Sequence, residues 1–183
     1  MLQRGGLIAH HTGTLPGIAA LPTHRAAVRR LSRFKQRPGP FLLLADSQHT
    51  AASLSTRLSQ GLRQAMRQCW PGPVSFILPS ARTSRRRLAP ACYAGRNIAV
   101  RVDADAACRH LARLCGGLLI SSSLNRRSEP VQQPSRRLRM RWHRHLAGCI
   151  SDASRKGEGR ASSLLQWRGG RLHALRGSLP EKP

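Results

Sequence analysis

Short apolar runs alternate with longer amphipathic stretches through the first two thirds of the chain. The runs at 7–10, 41–45, 74–78, 98–102 and 118–121 have the length of buried strands. Between the first two, Pro22-Thr23 opens a helix with Thr23 as its cap, and Val28, Leu31 and Phe34 mark an apolar stripe. A second helix is expected over 50–69, where Leu54, Leu58, Leu62, Ala65 and Cys69 recur at helical spacing. A third is expected to start at Asp103 as cap, turn Ala107, Leu111 and Leu114 inward, and stop at Gly116-Gly117. This alternation predicts an α/β protein with crossovers.

The last third is less regular. Residues 129–137 are polar, rich in Pro, Gln and Arg, and read as a loop. Leu138, Trp142 and Leu146 align on one face of a short basic helix. After a flexible-looking stretch at 151–163, segments 164–167 and 172–175 form a hairpin around Gly169-Gly170. The strand at 74–78 follows the rigid turn Trp70-Pro71-Gly72-Pro73 and is stopped by Pro79, and a basic run from Arg82 to Arg87 comes next.

Charge changes this picture more than size does. The 183 residues carry 32 Lys plus Arg against 7 Asp plus Glu, a formal net charge of +25. Nearly all of it is Arg, since lysine stands only at 35, 156 and 182. Such a field attracts nucleotides, nucleic acids or anionic membranes without choosing among them. Two clusters stand out: Arg82 with Arg85 to Arg87, and Arg136, Arg137, Arg139, Arg141 and Arg144 around Trp142, an aromatic placed to stack on a base or to face the core. The five cysteines form no CxxC pair and are expected to be buried free thiols. No apolar stretch reaches ~18 residues, so no membrane partner is expected, and no secretory leader is visible. The default compartment is cytoplasmic.

Three segments carry residues suited to one anion-binding cleft. Lys35 and Arg37 lie where a helix ends at Pro38, Arg101 ends a strand, and Ser121, Ser123 and Asn125 alternate beyond an apolar strand. In open α/β sheets such strand ends line the ligand crevice, with cations and hydroxyls to hold anionic oxygens. Taken singly, each residue is equally suited to capping or ending a helix.

These segments together resemble the YrdC-like threonylcarbamoyl-adenylate synthases. The resemblance rests on Lys35 to Pro38, Trp70 to Pro79, Val100-Arg101 and Ser121 to Asn125, with a weaker echo in Ala161-Ser162-Ser163 and Leu175-Arg176. It implies one YrdC-like domain over 1–183, lacking the helix that usually precedes the first strand, with an open twisted mixed sheet, flanking helices and a basic central cleft. It implies ATP, with magnesium carried transiently, and L-threonine and bicarbonate as substrates, giving threonylcarbamoyl-AMP and pyrophosphate for the threonylcarbamoyl-adenosine modification of tRNA. By the same resemblance, Lys35, Arg37 and Arg101 are the catalytic set. Thr12, Ser121, Ser123, Asn125, Ser162 and Arg176 join Lys35 and Arg37 in binding the nucleotide, and no protein metal ligand is expected. Partners left open are tRNA, double-stranded RNA and other proteins of the threonylcarbamoylation pathway.

The stretch from His11 to Ala19 departs from the resemblance. Gly13 stands where that family has an acid, Pro16 where it has an aromatic and Ala19 where it has a glycine. Leu124 replaces an alanine, Arg126 and Arg127 replace small residues, and Gln166 replaces an aspartate. The competing expectation is therefore a non-catalytic nucleotide- or RNA-binding relative.

Overall fold

The computed structural model describes residues 1–152 and 157–180. A single 3-10 turn, Leu2–Arg4, leads into β1 (Ile8–His10) and β2 (Gly17–Ala20). Then come α1 (Arg25–Lys35), β3 (Leu42–Ala45), α2 (Gln48–Ser53), α3 (Gln60–Cys69), β4 (Val74–Pro79) and α4 (Arg82–Arg87). The remainder is a second 3-10 turn (Pro90–Cys92), β5 (Tyr93–Ala94), β6 (Asn97–Val102), α5 (Ala106–Leu114), β7 (Leu118–Ser123), α6 (Arg136–Arg141), β8 (Gly148–Cys149), β9 (Ser163–Arg168) and β10 (Arg171–Arg176).

The strands join in one mixed sheet, in the order β10-β9-β4-β6-β3-β7-β2-β1-β8, with β5 paired to β6. Most pairs are antiparallel; β3–β6, β4–β9 and β1–β8 are parallel. Alternation divides the core between the two faces. Leu43, Ala45, Ile18, Ala20, Val100 and Ile120 pack with α1, α2, α3 and α6 in the larger cluster. Ile8, Ala19 and Leu119 pack with Ala112 of α5 in a smaller one. The expected open mixed sheet with helices on its faces is what the chain forms.

Three local expectations are corrected. The stretch 50–69 is two helices, because Leu54 leaves the first one. Its carbonyl accepts from Ala81 N and from the Ser84 hydroxyl, Ser55 bridges to Ser80, and Ser59 caps α3 through Leu62 N. The cap of α1 is His24, whose Nδ1 accepts from Ala27 N, and not Thr23. The cap of α5 is Asp105, which accepts from Cys108 N, and not Asp103. The inward face of α5 is consequently Cys108, Leu111 and Ala112, while Leu114 is exposed.

The Trp70 to Pro79 block is architectural. Trp70 is buried, donates from Nε1 to the Val74 carbonyl at 2.6 Å and meets Phe76 edge-on at 5.2 Å. Gly72 N reaches the carbonyl of Val102, so the turn pins β4 beside the end of β6. The terminal hairpin forms as expected, since Gly169 (φ 55) and Gly170 (φ 80) supply the two left-handed residues of a two-residue loop. Part of the 151–163 stretch lies outside the described residues.

Candidate anion-binding cleft

A cleft of about 330 Å³ opens over Leu42 at the start of β3, Asn97 to Arg101 of β6 and Ser121 to Ser123 at the end of β7, closed on the far side by the approach to β9 and by Arg176. Arg37, Arg101, Ser121, Ser123, Ser162 and Arg176 all line it, together with Thr14, Leu15 and Ser75. A second recess of about 490 Å³ shares Arg37 and Ser123 with it and adds Lys35, Asn125, Arg126 and Arg127. Eight of the nine residues expected to bind or react therefore meet at two contiguous hollows; Thr12 is the exception. It is buried beneath the surface, its hydroxyl donating to the Leu15 carbonyl at 2.8 Å and accepting from Thr14 N at 3.1 Å. Thr14 takes its place in the lining.

Lys35 ends α1, is buried, and aims its ammonium at the loop after β7. It donates to the Ser123 carbonyl at 2.8 Å, the Asn125 carbonyl at 2.5 Å and Asn125 Oδ1 at 2.7 Å. Ser123 Oγ also donates to Asn125 Oδ1, at 2.7 Å, and Asn125 Nδ2 donates to the Glu129 carbonyl at 2.6 Å. Burial, with Arg37 nearby, pulls the Lys35 pKa down to about 8. Arg37 lies over the Phe41 ring at 4.6 Å and donates to the Pro40 carbonyl at 3.0 Å. Its loss of solvent lowers its pKa.

Arg101 comes from β6, on the face opposite the Val100 and Val102 core. It is buried, ion-paired to Asp103 and donates to Thr14 Oγ1 at 2.7 Å. Its Nε is buried with no partner among the described residues. A buried N–H left unpaired beside a cleft is a costly arrangement that an anionic oxygen would relieve. On the opposite wall Arg176 donates to the Ser162 carbonyl at 2.9 and 3.1 Å, and the Ser162 and Ser75 hydroxyls lie 2.9 Å apart.

Two residues that sequence reasoning passed over complete the site. Asp103 is placed in the sequence to cap a helix, yet its carboxylate accepts from Gly13 N at 2.7 Å, from Asp105 N at 2.9 Å and from Arg101. His10 has no metal partner at usable spacing in the sequence, yet its Nε2 lies 3.2 Å from Ser121 Oγ. Period-two alternation placed both on the cleft face and was the signal available. Trp142, by contrast, is core: buried, and edge-on to Phe34 at 5.0 Å. The arginines of α6 around it, with Arg144, are exposed.

An α/β sheet with a cationic, hydroxyl-lined hollow of this kind is suited to phosphate- or carboxylate-bearing small molecules. The particular family follows from comparison with known proteins. The Sua5_yciO_yrdC family, described as telomere recombination, matches this chain over residues 1–178, and the chain belongs to it. A threonylcarbamoyl-AMP synthase of Thiobacillus denitrificans is 38% identical over 128 residues, which is 68% of this chain and 66% of that protein. One from Stenotrophomonas maltophilia is 33% identical over 153 residues, 81% of each. Among solved structures, P. abyssi Sua5 complexed with L-threonine superposes with a TM-score of 0.82 at 21% identity, covering 96% of this chain and 51% of that one. The chain thus spans about two thirds to four fifths of these two synthases and half of the Sua5 chain.

Proposed function

We propose that this chain is an ATP-dependent threonylcarbamoyl-AMP synthase, converting L-threonine, bicarbonate and ATP to threonylcarbamoyl-AMP, pyrophosphate and water. The names of its curated relatives and the threonine complex of a structural neighbour support the reading. The observation that carries it is the convergence of Arg37, Arg101, Ser121, Ser123, Ser162 and Arg176 on one cleft, with Lys35 and Asn125 in the adjoining recess.

In this reading, the carbamate of threonine attacks the α-phosphorus of ATP. The bond to the bridging oxygen breaks and pyrophosphate leaves. Fixed cations and donors stabilise the charge that spreads over the transferring phosphoryl group, and no covalent intermediate with the protein is needed. Arg101 offers its unpaired Nε to a substrate oxygen, while Arg176 and Ser162 flank the nucleotide. The triphosphate tail lies toward Arg37 and the recess, where Arg126 and Arg127 add charge. Lys35 acts there chiefly by holding the Ser123 to Asn125 loop in shape. The cleft lining holds no carboxylate among the described residues, and no step here depends on a protein ligand to magnesium. A cytoplasmic setting and a tRNA-directed product belong to the same reading, and no helix among the described residues is long and apolar enough to cross a membrane.

The deciding experiment is pyrophosphate release from ATP by the purified chain, omitting threonine and bicarbonate in turn. Release that requires both is expected. ATP binding without release, in a folded sample, would favour the non-catalytic relative. That second reading draws on the exposed arginines of α6, which suit a polyanion more than a small substrate.

A further inference from the structure

His10 and Ser121 are not on neighbouring strands, because β2 runs between them. The register sets His10 opposite Gly17 and Ser121 opposite Ala19, so the imidazole must cross β2 on a diagonal to reach the hydroxyl. It crosses over Gly17. A Cβ there would stand 2.5 Å from Ser121 Oγ and 2.8 Å from His10 Nε2, so any side chain at 17 would break into the contact.

The hydrogen on this contact can be assigned. His10 Nδ1 lies 2.9 Å from the carbonyl of His11, which only accepts, so Nδ1 carries the ring proton. The ring is buried, and loss of solvent pulls its pKa down to about 4. Arg101 and His11 push in the same direction, while the His11 carbonyl and Asp103 oppose them. Cys108, on α5, lies 3.9 Å from Nδ1 and has its own pKa raised by burial, so it stays a neutral thiol. Nε2 of a neutral, Nδ1-protonated ring is an acceptor. The hydroxyl hydrogen of Ser121 therefore points into the imidazole, and its lone pairs face the cleft.

We propose that His10 is a positioning residue that makes Ser121 a fixed hydrogen-bond acceptor on the cleft floor, selecting substrates that bring a donor to that point. The rest of the charged lining is donors: Arg37, Arg101 and Arg176. A phosphate or carboxylate uses those and has no use for an acceptor. An ammonium or amine does. Resting on the synthase reading above, the donor is the amino group of L-threonine, and Ser121 discriminates amino acids from simple carboxylates of the same size.

Two measurements on the full chain test this. Nitrogen spectra of protein labelled with 15N at histidine should show His10 neutral at about pH 6 and in the Nδ1–H tautomer. The Nε2–H tautomer, or a protonated ring at that pH, would overturn the proposal whatever the fate of the synthase reading. In kinetics, His10→Phe should raise the KM for threonine about tenfold, the effect of one hydrogen bond to a charged group, and leave the KM for ATP within about twofold. His10→Gln, whose amide oxygen can accept from Ser121, should recover most of the loss. Equal loss toward both substrates, or none, would overturn it. A wild-type chain that releases no pyrophosphate would overturn the synthase reading and the choice of threonine together, and the labelled spectrum would still decide the orientation of Ser121.

Discussion

Asp103 Oδ1 occupies the space that a side chain at Gly13 would need. It accepts from Gly13 N at 2.7 Å, and a Cβ on that glycine would lie 2.9 Å from it. A carboxylate from just beyond the end of β6 thus fills the space beside Gly13 in the loop after β1, and the same carboxylate pairs with Arg101. One buried anion ties the first loop, the cleft arginine and the start of α5 to each other.

Removing it should be expensive. Asp103→Ala leaves Arg101 buried without a counter-charge and is expected to cost about 3–5 kcal/mol in a urea titration. Combining it with Arg101→Met should cost less than the sum of the two single changes. Gly13→Ala, which pushes a methyl group into a carboxylate held by three donors, should cost about 1–3 kcal/mol.

Lys35 makes nucleotide affinity depend on pH. Its folded pKa of about 8 is below its ordinary value of 10.5, so the charge is complete below pH 8 and lost above it. ATP affinity should therefore decline as pH rises through about 8, and Lys35→Met should flatten that step in a fluorescence titration. The stability contribution runs the other way. Between the two values the unfolded chain binds the extra proton, so the Lys35 contribution to stability rises with pH across that window.

Trp142 and the arginines beside it should separate cleanly. Trp142→Ala empties a site against Phe34 and is expected to cost about 3–5 kcal/mol, read by thermal or chemical melting. Replacing Arg136, Arg137, Arg139 and Arg141 by Ser should leave the melt nearly unchanged. If α6 contacts RNA, the same change should reduce the salt dependence of RNA binding, by about 0.9 in log–log slope per lost phosphate contact for a duplex.

Cys92 and Cys108 should be inert to alkylating reagents in the folded chain. Burial pushes the Cys92 pKa up to about 12 and raises that of Cys108, so neither offers thiolate near neutral pH. Mass spectrometry after iodoacetamide treatment should find both labelled only once the chain is unfolded.

Five strands of the sheet were legible in the sequence because each apolar run, from 7–10 to 118–121, is bounded by Gly, Pro or a polar break that no helix could ignore. By contrast, β2 (Gly17–Ala20), β5 and β8 were not among the strands it predicted. The hairpin was legible because Gly169-Gly170 fits one turn. What failed were decisions settled by tertiary contact. Thr50 to Cys69 has helical periodicity throughout, and only the distant Ala81 and Ser84, bonding to Leu54, break it. Asp103 and Asp105 are equally good caps in sequence, and the buried Arg101 claimed the first of them. The Lys35, Arg101 and Ser121–Asn125 segments were legible as a group, since strand ends converge in such a sheet. Their partners, His10 across β2 and Asp103 beneath Gly13, depend on register and depth, which no spacing encodes.

At the far margin of the sheet, β10 has no strand beyond it among the described residues. It begins and ends in arginine, has an irregular register between Ala174 and Arg176, and is mostly exposed. An unpaired edge of this kind invites a second copy to add its own strand. Like charge and a broken ladder are the features that discourage such stacking. The arginine surplus therefore also guards solubility, most strongly in dilute buffer, and the guard weakens as added salt shortens the reach of the repulsion.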